Sequence, residues 1–319
     1  MSPRRVIGFD AGGTKLLGGV VDGGLAVRHR VHRVWPGSER DGLLDLMVEA
    51  VEEAREAAPD VDAVGFGIPS LVDLETGVSL FSVHLPLEDV PFRAFMEERL
   101  DLPVFVDNDA NLALLAEARA GAARGASDAL MLTLGTGIGG GILAGGELQR
   151  GSRGAGAELG HVVVDVDGPP CQGRCPGRGC LEVMASGTAI GREGAEAARQ
   201  APESALGRQL AAGRQITGAV VTELAHEGDA AAREVLALIG RRLGAGIAGL
   251  VNAFDPQLVV VGGGAVAGGE LLLAPARAAF AERVLPPHRD RVEIVPAHFG
   301  AEAGMLGAAL LALEAGGSA

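Results

Sequence analysis

The chain contains no tyrosine and one tryptophan, and aromatic residues make up only 3% of it. Single-stranded nucleic acids are held by stacked aromatics and duplexes by basic stripes, and a net charge of −14 offers neither. Cysteine is also scarce. Three cysteines cannot all pair as disulfides, and none is left over elsewhere to serve as a partner. Lysine is the rarest charged residue: Lys15 stands alone in a chain that otherwise uses arginine. No long apolar run opens the sequence, because Asp10 and Lys15 interrupt VIGFDAGGTK too early for a signal peptide or a spanning helix. A reducing, cytoplasmic location without membrane or nucleic-acid partners is the expectation. A 48% hydrophobic and 21% charged composition is that of a globular protein, and 319 residues suggest two domains.

The cysteines all fall in one stretch, Gly151 to Glu182, GSRGAGAELGHVVVDVDGPPCQGRCPGRGCLE. His161, Cys171, Cys175 and Cys180 together make the ligand set of a closed, tetrahedral zinc site. Four protein ligands leave no position for a reactive water, so the metal is expected to be structural. Glu158 precedes His161 by three residues and Glu182 follows Cys180 by two, so a metal that fixes the loop also fixes both acids. Two carboxylates on a rigid loop suit a ligand rich in hydroxyl groups.

In chain order, RVIGF and LLGGVVD read as strands joined by the glycine turn of Asp10, Gly12, Gly13, Thr14 and Lys15, whose N–H groups, hydroxyl and ammonium can cradle phosphate. No GxxxxGK[ST] is present, so it is not a Walker A loop. A helix is expected over 40–57, a strand ending at Pro69, a helix over 91–99 and a strand over 102–107. Asn108 and Asp109 then stand where a strand ends and a helix begins, the edge at which open α/β sheets place ligands. Either can cap the helix, and the helix dipole is expected to keep Asp109 ionised. From Ala129 the strand, glycine loop, strand pattern recurs in LTLGTGIGGGILAGGEL. This internal repeat implies two related domains facing a cleft. Gly135, Gly137 and Gly140 match GxGxxG, but a strand rather than a helix is expected to follow, which argues against a dinucleotide fingerprint. Beyond the cysteine loop helices dominate, interrupted by QLVVVGGG, a strand that runs into Gly262, Gly263 and Gly264.

DAGGTK at 10–15, GFGIPSLVD at 65–73, DNDAN at 107–111, LGTGIGGGI at 134–142, ELGH with the cysteine cluster, and NAFDPQLVVVGGG at 252–264 together resemble the ROK family. The likeness spans nearly the whole chain. It implies an α/β, duplicated actin-like (ribonuclease H-like) ATPase fold: a small α/β domain at 1–125, on which a terminal helix at about 300–317 packs back, and a larger one at 126–299 with the zinc loop 161–180. It implies an ATP-dependent sugar kinase that phosphorylates the 6-hydroxyl of a hexose. Glucose ranks first, ahead of N-acetylglucosamine, N-acetylmannosamine, fructose or allose; a sugar-sensing regulator ranks lower, since Asp10 leaves no room for an amino-terminal helix-turn-helix. Asp109 falls on the catalytic base. Asn108, Asp109, Glu158, His161 and Glu182 fall on sugar-contacting positions. Asp10, Gly12, Gly13, Thr14, Lys15, Gly135, Thr136, Gly137 and Gly262 to Gly264 fall on ATP- and phosphate-binding positions, with Mg2+ near Asp10. A homodimer or homotetramer is implied as well. The chain departs from the family pattern in four places: three residues separate Cys171 from Cys175, Gly156-Ala157 reverses the commoner order, Ser70 replaces glycine, and His84 stands near a usual asparagine.

Overall fold

The computed structural model describes residues 4–13, 15–35 and 39–315. They divide into two compact units, one of residues 1–125, 141–157 and 301–319, the other of 126–140 and 158–300. Residues 141–157, within the 126–299 stretch of the sequence reading, therefore cluster with the first unit.

In the first unit β1 (Arg5–Ala11), β2 (Lys15–Asp22) and β3 (Val27–Val34) are followed by α1 (Arg40–Ala57) and β4 (Val64–Ile68). A short hairpin, β5 (Leu71–Asp73) and β6 (Val78–Phe81), then leads to α2 (Phe92–Leu100), β7 (Val104–Asn108) and α3 (Asp109–Ala120). The sheet order is β3-β2-β1-β4-β7: β1, β2 and β3 run antiparallel, whereas β4 and β7 are parallel to β1. Strand β3 is not among the expected elements. Its VRHRVHRV sequence sets three valines among basic residues and alternates between half-buried or buried and exposed positions along its length, which suits an edge strand with one wet face.

The second sheet begins with β8 (Ala129–Leu134) and β9 (Ile138–Ala144), and β10 (Glu147–Leu148) follows, residues 141–157 clustering with the first unit. Helices α4 (Leu181–Ala185), α5 (Gly187–Gln200), α6 (Ala205–Ala211), α7 (Gly218–Glu227) and α8 (Ala230–Phe254) precede β11 (Leu258–Gly262), α9 (Glu270–Arg283), α10 (Pro286–Arg289) and β12 (Glu293–Pro296). Sheet order β10-β9-β8-β11-β12 repeats the third-second-first-fourth-fifth order of the other sheet, with β11 parallel to both β8 and β12. The glycine-punctuated repeat in the sequence thus corresponds to a duplicated topology. A strand follows the GxGxxG stretch, as the sequence required. No helix among the described residues is long and apolar enough to cross a membrane.

The last helix, α11 (Ala303–Ala315), returns to the first unit, and glycine lets it do so. Gly8 and Gly65 are register partners on β1 and β4. A Cβ on Gly65 would stand 1.9 Å from the Ala308 carbonyl oxygen, and one on Gly8 2.3 Å from that of Met305. Side chains one residue on point to the opposite face: Phe9 and Phe66 stack with centroids 5.9 Å apart, and Phe92 meets Phe66 edge-on at 5.3 Å. One face of the same two strands is a floor for a helix backbone and the other is an aromatic core. A Gly65→Ala variant must push α11 away and is expected to lose about 1–3 kcal/mol of stability, measurable as a lower urea midpoint at unchanged m-value.

Candidate active site and metal centre

Strand β7 ends in Asp107 and Asn108, Asp109 opens α3, and each side chain has a separate task. Asn108 is the N-cap of α3: its side-chain oxygen accepts the N–H groups of Ala110 at 2.9 Å and Asn111 at 3.1 Å. Its amide also donates to the Ser70 carbonyl at 3.4 Å. Asp109 accepts the Ala110 N–H at 2.9 Å. Burial pushes the Asp109 carboxyl up to about 6, against the pull of the Ala110 N–H and of nearby His84. Desolvation sets the direction of the shift, yet at about 6 the carboxyl is still mostly ionised at neutral pH, as expected of a residue at a helix start. Asp10, on β1, is held still further above the ordinary carboxylate range by burial and then by the charge of Asp109. His84 packs beside the glycine turn after β1, since a Cβ on Gly13 would lie 3.8 Å from its own. Gly12 and Gly13 are half-buried and Lys15 is exposed at the start of β2, while Thr14 lies outside the described residues.

Sequence reasoning missed Asp107, which is 1% exposed. Its Oδ2 accepts Arg150 Nε at 2.6 Å, and its Oδ1 accepts the Asn108 N–H at 2.7 Å and the Asn111 amide at 3.3 Å. One carboxylate therefore braces the strand end, the first turn of α3 and the foot of the loop that leads towards Glu158. That loop closes through the Gly156 N–H and the Arg150 carbonyl at 2.9 Å. The repeated acids of DNDAN were a signal for this, but Arg150, 43 residues away, carried none. The reversed Gly156-Ala157 order also acquires a physical meaning. Ala157 has φ +66°, a left-handed conformation that costs an L-residue about 1–2 kcal/mol. Ser70 is absorbed into a chain of buried hydroxyls, bonded to Ser79 at 2.5 Å, with Ser79 donating to the Leu87 carbonyl at 2.7 Å.

In the second unit the ligand atoms of His161, Cys171, Cys175 and Cys180 lie within 4.8 Å of one another. A tetrahedral zinc with its usual bond lengths needs ligand atoms roughly 3.8 Å apart, and His161 Nδ1 and Cys171 Sγ are 3.8 Å apart. Gly179, at φ +58°, passes so close to the Asp165 carbonyl that a Cβ would lie 1.6 Å from it, which lets the loop fold back onto Cys180. Burial raises the Cys171 and Cys180 thiols, and each is raised further by another cysteine of the group. Thiols gathered against that cost are a donor set that a divalent cation would satisfy as thiolates. Both predicted acids reach the cluster: Glu158 Oε2 is 3.9 Å from His161 Nε2, and Glu182 Oε1 is 3.8 Å from Cys171 Sγ. Glu182 is 2% exposed, and its Oε2 accepts the Ile138 N–H at 2.8 Å.

The glycine loop between β8 and β9 closes through the Gly135 N–H and the Gly137 carbonyl at 2.9 Å, and the Gly135 carbonyl accepts the Gly187 N–H at 2.8 Å. Gly135, Thr136 and Gly264 line a cavity of about 990 Å³, walled by Ile190 of α5 and by Ile216 and His226 at α7. That volume is at the upper end for small-molecule sites. Gly263, at φ +82°, approaches the β8 backbone closely, with a Cβ position 2.4 Å from the Leu134 carbonyl oxygen. The helical wall of the cavity was not foreseen, because its residues follow the ordinary spacing of amphipathic helices.

Two like-ordered mixed sheets with glycine loops after their first strands define a duplicated α/β protein of the actin-like ATPase class. The ROK family profile matches residues 6–315, and the chain belongs to the ROK family. It is 35% identical to a glucokinase of Halalkalibacterium halodurans over 96% of this chain and 94% of that one. Among solved structures, a ROK family glucokinase from Streptomyces griseus in complex with glucose and AMPPNP superposes with TM-score 0.90, at 38% identity, over 97% of this chain and 99% of that one. A ROK family transcriptional regulator, a homologue of the E. coli MLC protein, superposes with TM-score 0.86 at 26% identity, over 97% of this chain and 78% of that chain.

Arg150→Met leaves Asp107 buried without its cation. Such a loss costs about 3–5 kcal/mol when the pair is fully buried, and less is expected here because the Arg150 side chain is 23% exposed. Adding Asp107→Asn should recover part of that loss, which urea titration of the single and double variants will read.

Proposed function

We propose that the chain transfers the γ-phosphoryl group of ATP to the 6-hydroxyl of a hexose, with glucose as the preferred acceptor. The observation that carries this is the carboxylate of Asp109, half-buried at the start of α3 and raised to about 6. A base with that pKa is mostly ionised at neutral pH yet takes a proton more readily than an ordinary aspartate. The glucokinase relatives and the glucose and AMPPNP complex of the Streptomyces griseus protein support the choice of sugar and donor.

Asp109 accepts the proton of the 6-hydroxyl as that oxygen attacks the γ-phosphorus, and the β–γ bridging oxygen leaves with ADP. Asn108, Glu158, His161 and Glu182 hold the sugar hydroxyls, with His161 serving the metal at the same time. Phosphate oxygens are received by the backbone at Gly12, Gly13, Gly135, Thr136 and Gly137 and by Thr14 and Lys15, and Gly262 to Gly264 make room for the nucleotide. Phosphoryl transfer asks mainly for positioning and charge neutralisation, which these groups supply. Asp10 fits magnesium, because a carboxyl disfavoured as an anion by burial and by Asp109 gains from a cation. Magnesium, when bound, screens the charge of the phosphate oxygens. His161, Cys171, Cys175 and Cys180 would hold zinc as a closed four-ligand set, which would make that metal structural.

Asp109→Asn should lower kcat by about 10²–10⁴-fold while glucose binding, read by calorimetry, survives. In the native enzyme kcat/KM should be level above about pH 6 and fall roughly tenfold per unit below it, as Asp109 takes up a proton. Native turnover in Asp109→Asn would remove Asp109 as the base. Silence of the wild type on glucose, N-acetylglucosamine, N-acetylmannosamine, fructose and allose would favour a sugar-sensing regulatory role over a kinase. Metal analysis should find about one zinc per chain, lost in Cys180→Ala together with thermal stability.

A further inference from the structure

Gln172 lies in the spacer between Cys171 and Cys175, where the loop is longer than the family pattern. Its side-chain amide donates to the Thr136 carbonyl at 2.9 Å and lies 3.4 Å from the Ser186 hydroxyl. The Thr188 hydroxyl donates to the same carbonyl at 2.7 Å. On either side, the Gly187 N–H donates to the Gly135 carbonyl and the Glu182 carboxylate accepts the Ile138 N–H, each at 2.8 Å. Cys171 is next to Gln172 in sequence, so the cysteine cluster and the 135–138 loop are joined by side chains that neither bind metal nor line a strand.

Glycines at 135 and 137 impose little conformational preference of their own, so the direction of these peptides must be set from outside. In a trans peptide the carbonyl and the following N–H point opposite ways. Anchoring the Thr136 carbonyl therefore aims the Gly137 N–H away from Gln172 and Thr188. Backbone N–H groups aimed together are how such loops bind phosphate. We propose that Gln172 is a positioning residue for the nucleotide: it ties the cysteine loop to the Thr136 carbonyl and thereby fixes the phosphate-binding orientation of the 135–137 loop. The proposal rests on the kinase reading of that loop. The cysteine loop then serves the phosphoryl donor as well as the sugar.

The test is calorimetric titration of Mg-AMPPNP into the wild type, Gln172→Met and Gln172→Glu, each with metal content and the glucose KM measured in parallel. Methionine keeps the length of the side chain and removes the donor. It should weaken AMPPNP binding about two- to tenfold, the range of one net hydrogen bond, and raise the KM for ATP with the glucose KM unchanged. Glutamate sets a carboxylate against a carbonyl oxygen and should weaken binding further. Metal content should stay at the wild-type level in both, since Gln172 is not a ligand. Native AMPPNP affinity in Gln172→Met would overturn the proposal and leave the kinase reading intact. Equal losses of metal, glucose and nucleotide affinity would also overturn it, reducing Gln172 to a scaffold residue. A wild type that binds no AMPPNP would overturn the kinase reading and this proposal together.

Discussion

A buried carboxylate must have its charge answered, and this molecule answers its carboxylates unequally. Asp107 receives a guanidinium, a backbone N–H and a side-chain amide, and Glu182 receives the first N–H of β9. Asp10 and Asp109 instead sit close enough for the charge of Asp109 to raise Asp10, and burial lifts both. Saturated carboxylates hold backbone in place, while under-answered ones are left with an appetite for a proton or a cation. The chemistry proposed for Asp109 depends on Asp107 two residues earlier being of the first kind, because a second unanswered charge there would destabilise the turn that presents the base.

Glycine does for the backbone what these contacts do for charge. Paired Gly8 and Gly65 let α11 lie directly on β1 and β4, and Gly307 lets the same helix meet the Leu112 carbonyl of α3, where a Cβ would stand 1.8 Å away. In this way the carboxyl-terminal helix closes the unit that contains Asp10 and Asp109. The opposite demand arises at Ala157, where a left-handed backbone carries a side chain next to Glu158. Backbone strain held beside a binding residue is tolerated where surrounding contacts over-determine it, and the Arg150–Gly156 closure with the Asp107 brace supplies such contacts.

Much of this was legible from the chain. Apolar runs ending in glycine gave the first strand of each sheet, and the recurrence of that pattern gave the duplication. The crowding of three cysteines and His161 into one loop announced the cluster of candidate metal ligands, and the junction at Asn108-Asp109 announced a strand-to-helix edge. What escaped was of two kinds. Strand β3 carries three valines among arginines and histidines, and an edge strand needs too little apolar surface to stand out. The partners of Asp107 and the wall of the 990 Å³ cavity come from distant segments whose local sequence follows ordinary helical or loop spacing.

Sequence by itself determined which residue types were available and where the backbone could turn: acids after strands, glycines where helices approach, four candidate metal ligands within one loop. These are local properties, set by side-chain chemistry and by the φ and ψ range of each residue. Tertiary structure decided what those groups do. Burial, which no local sequence specifies, raised the Asp109 carboxyl to about 6. Only the fold brought Arg150 to Asp107 and Gln172 to Thr136, because hydrogen bonds between distant segments depend on where the chain returns.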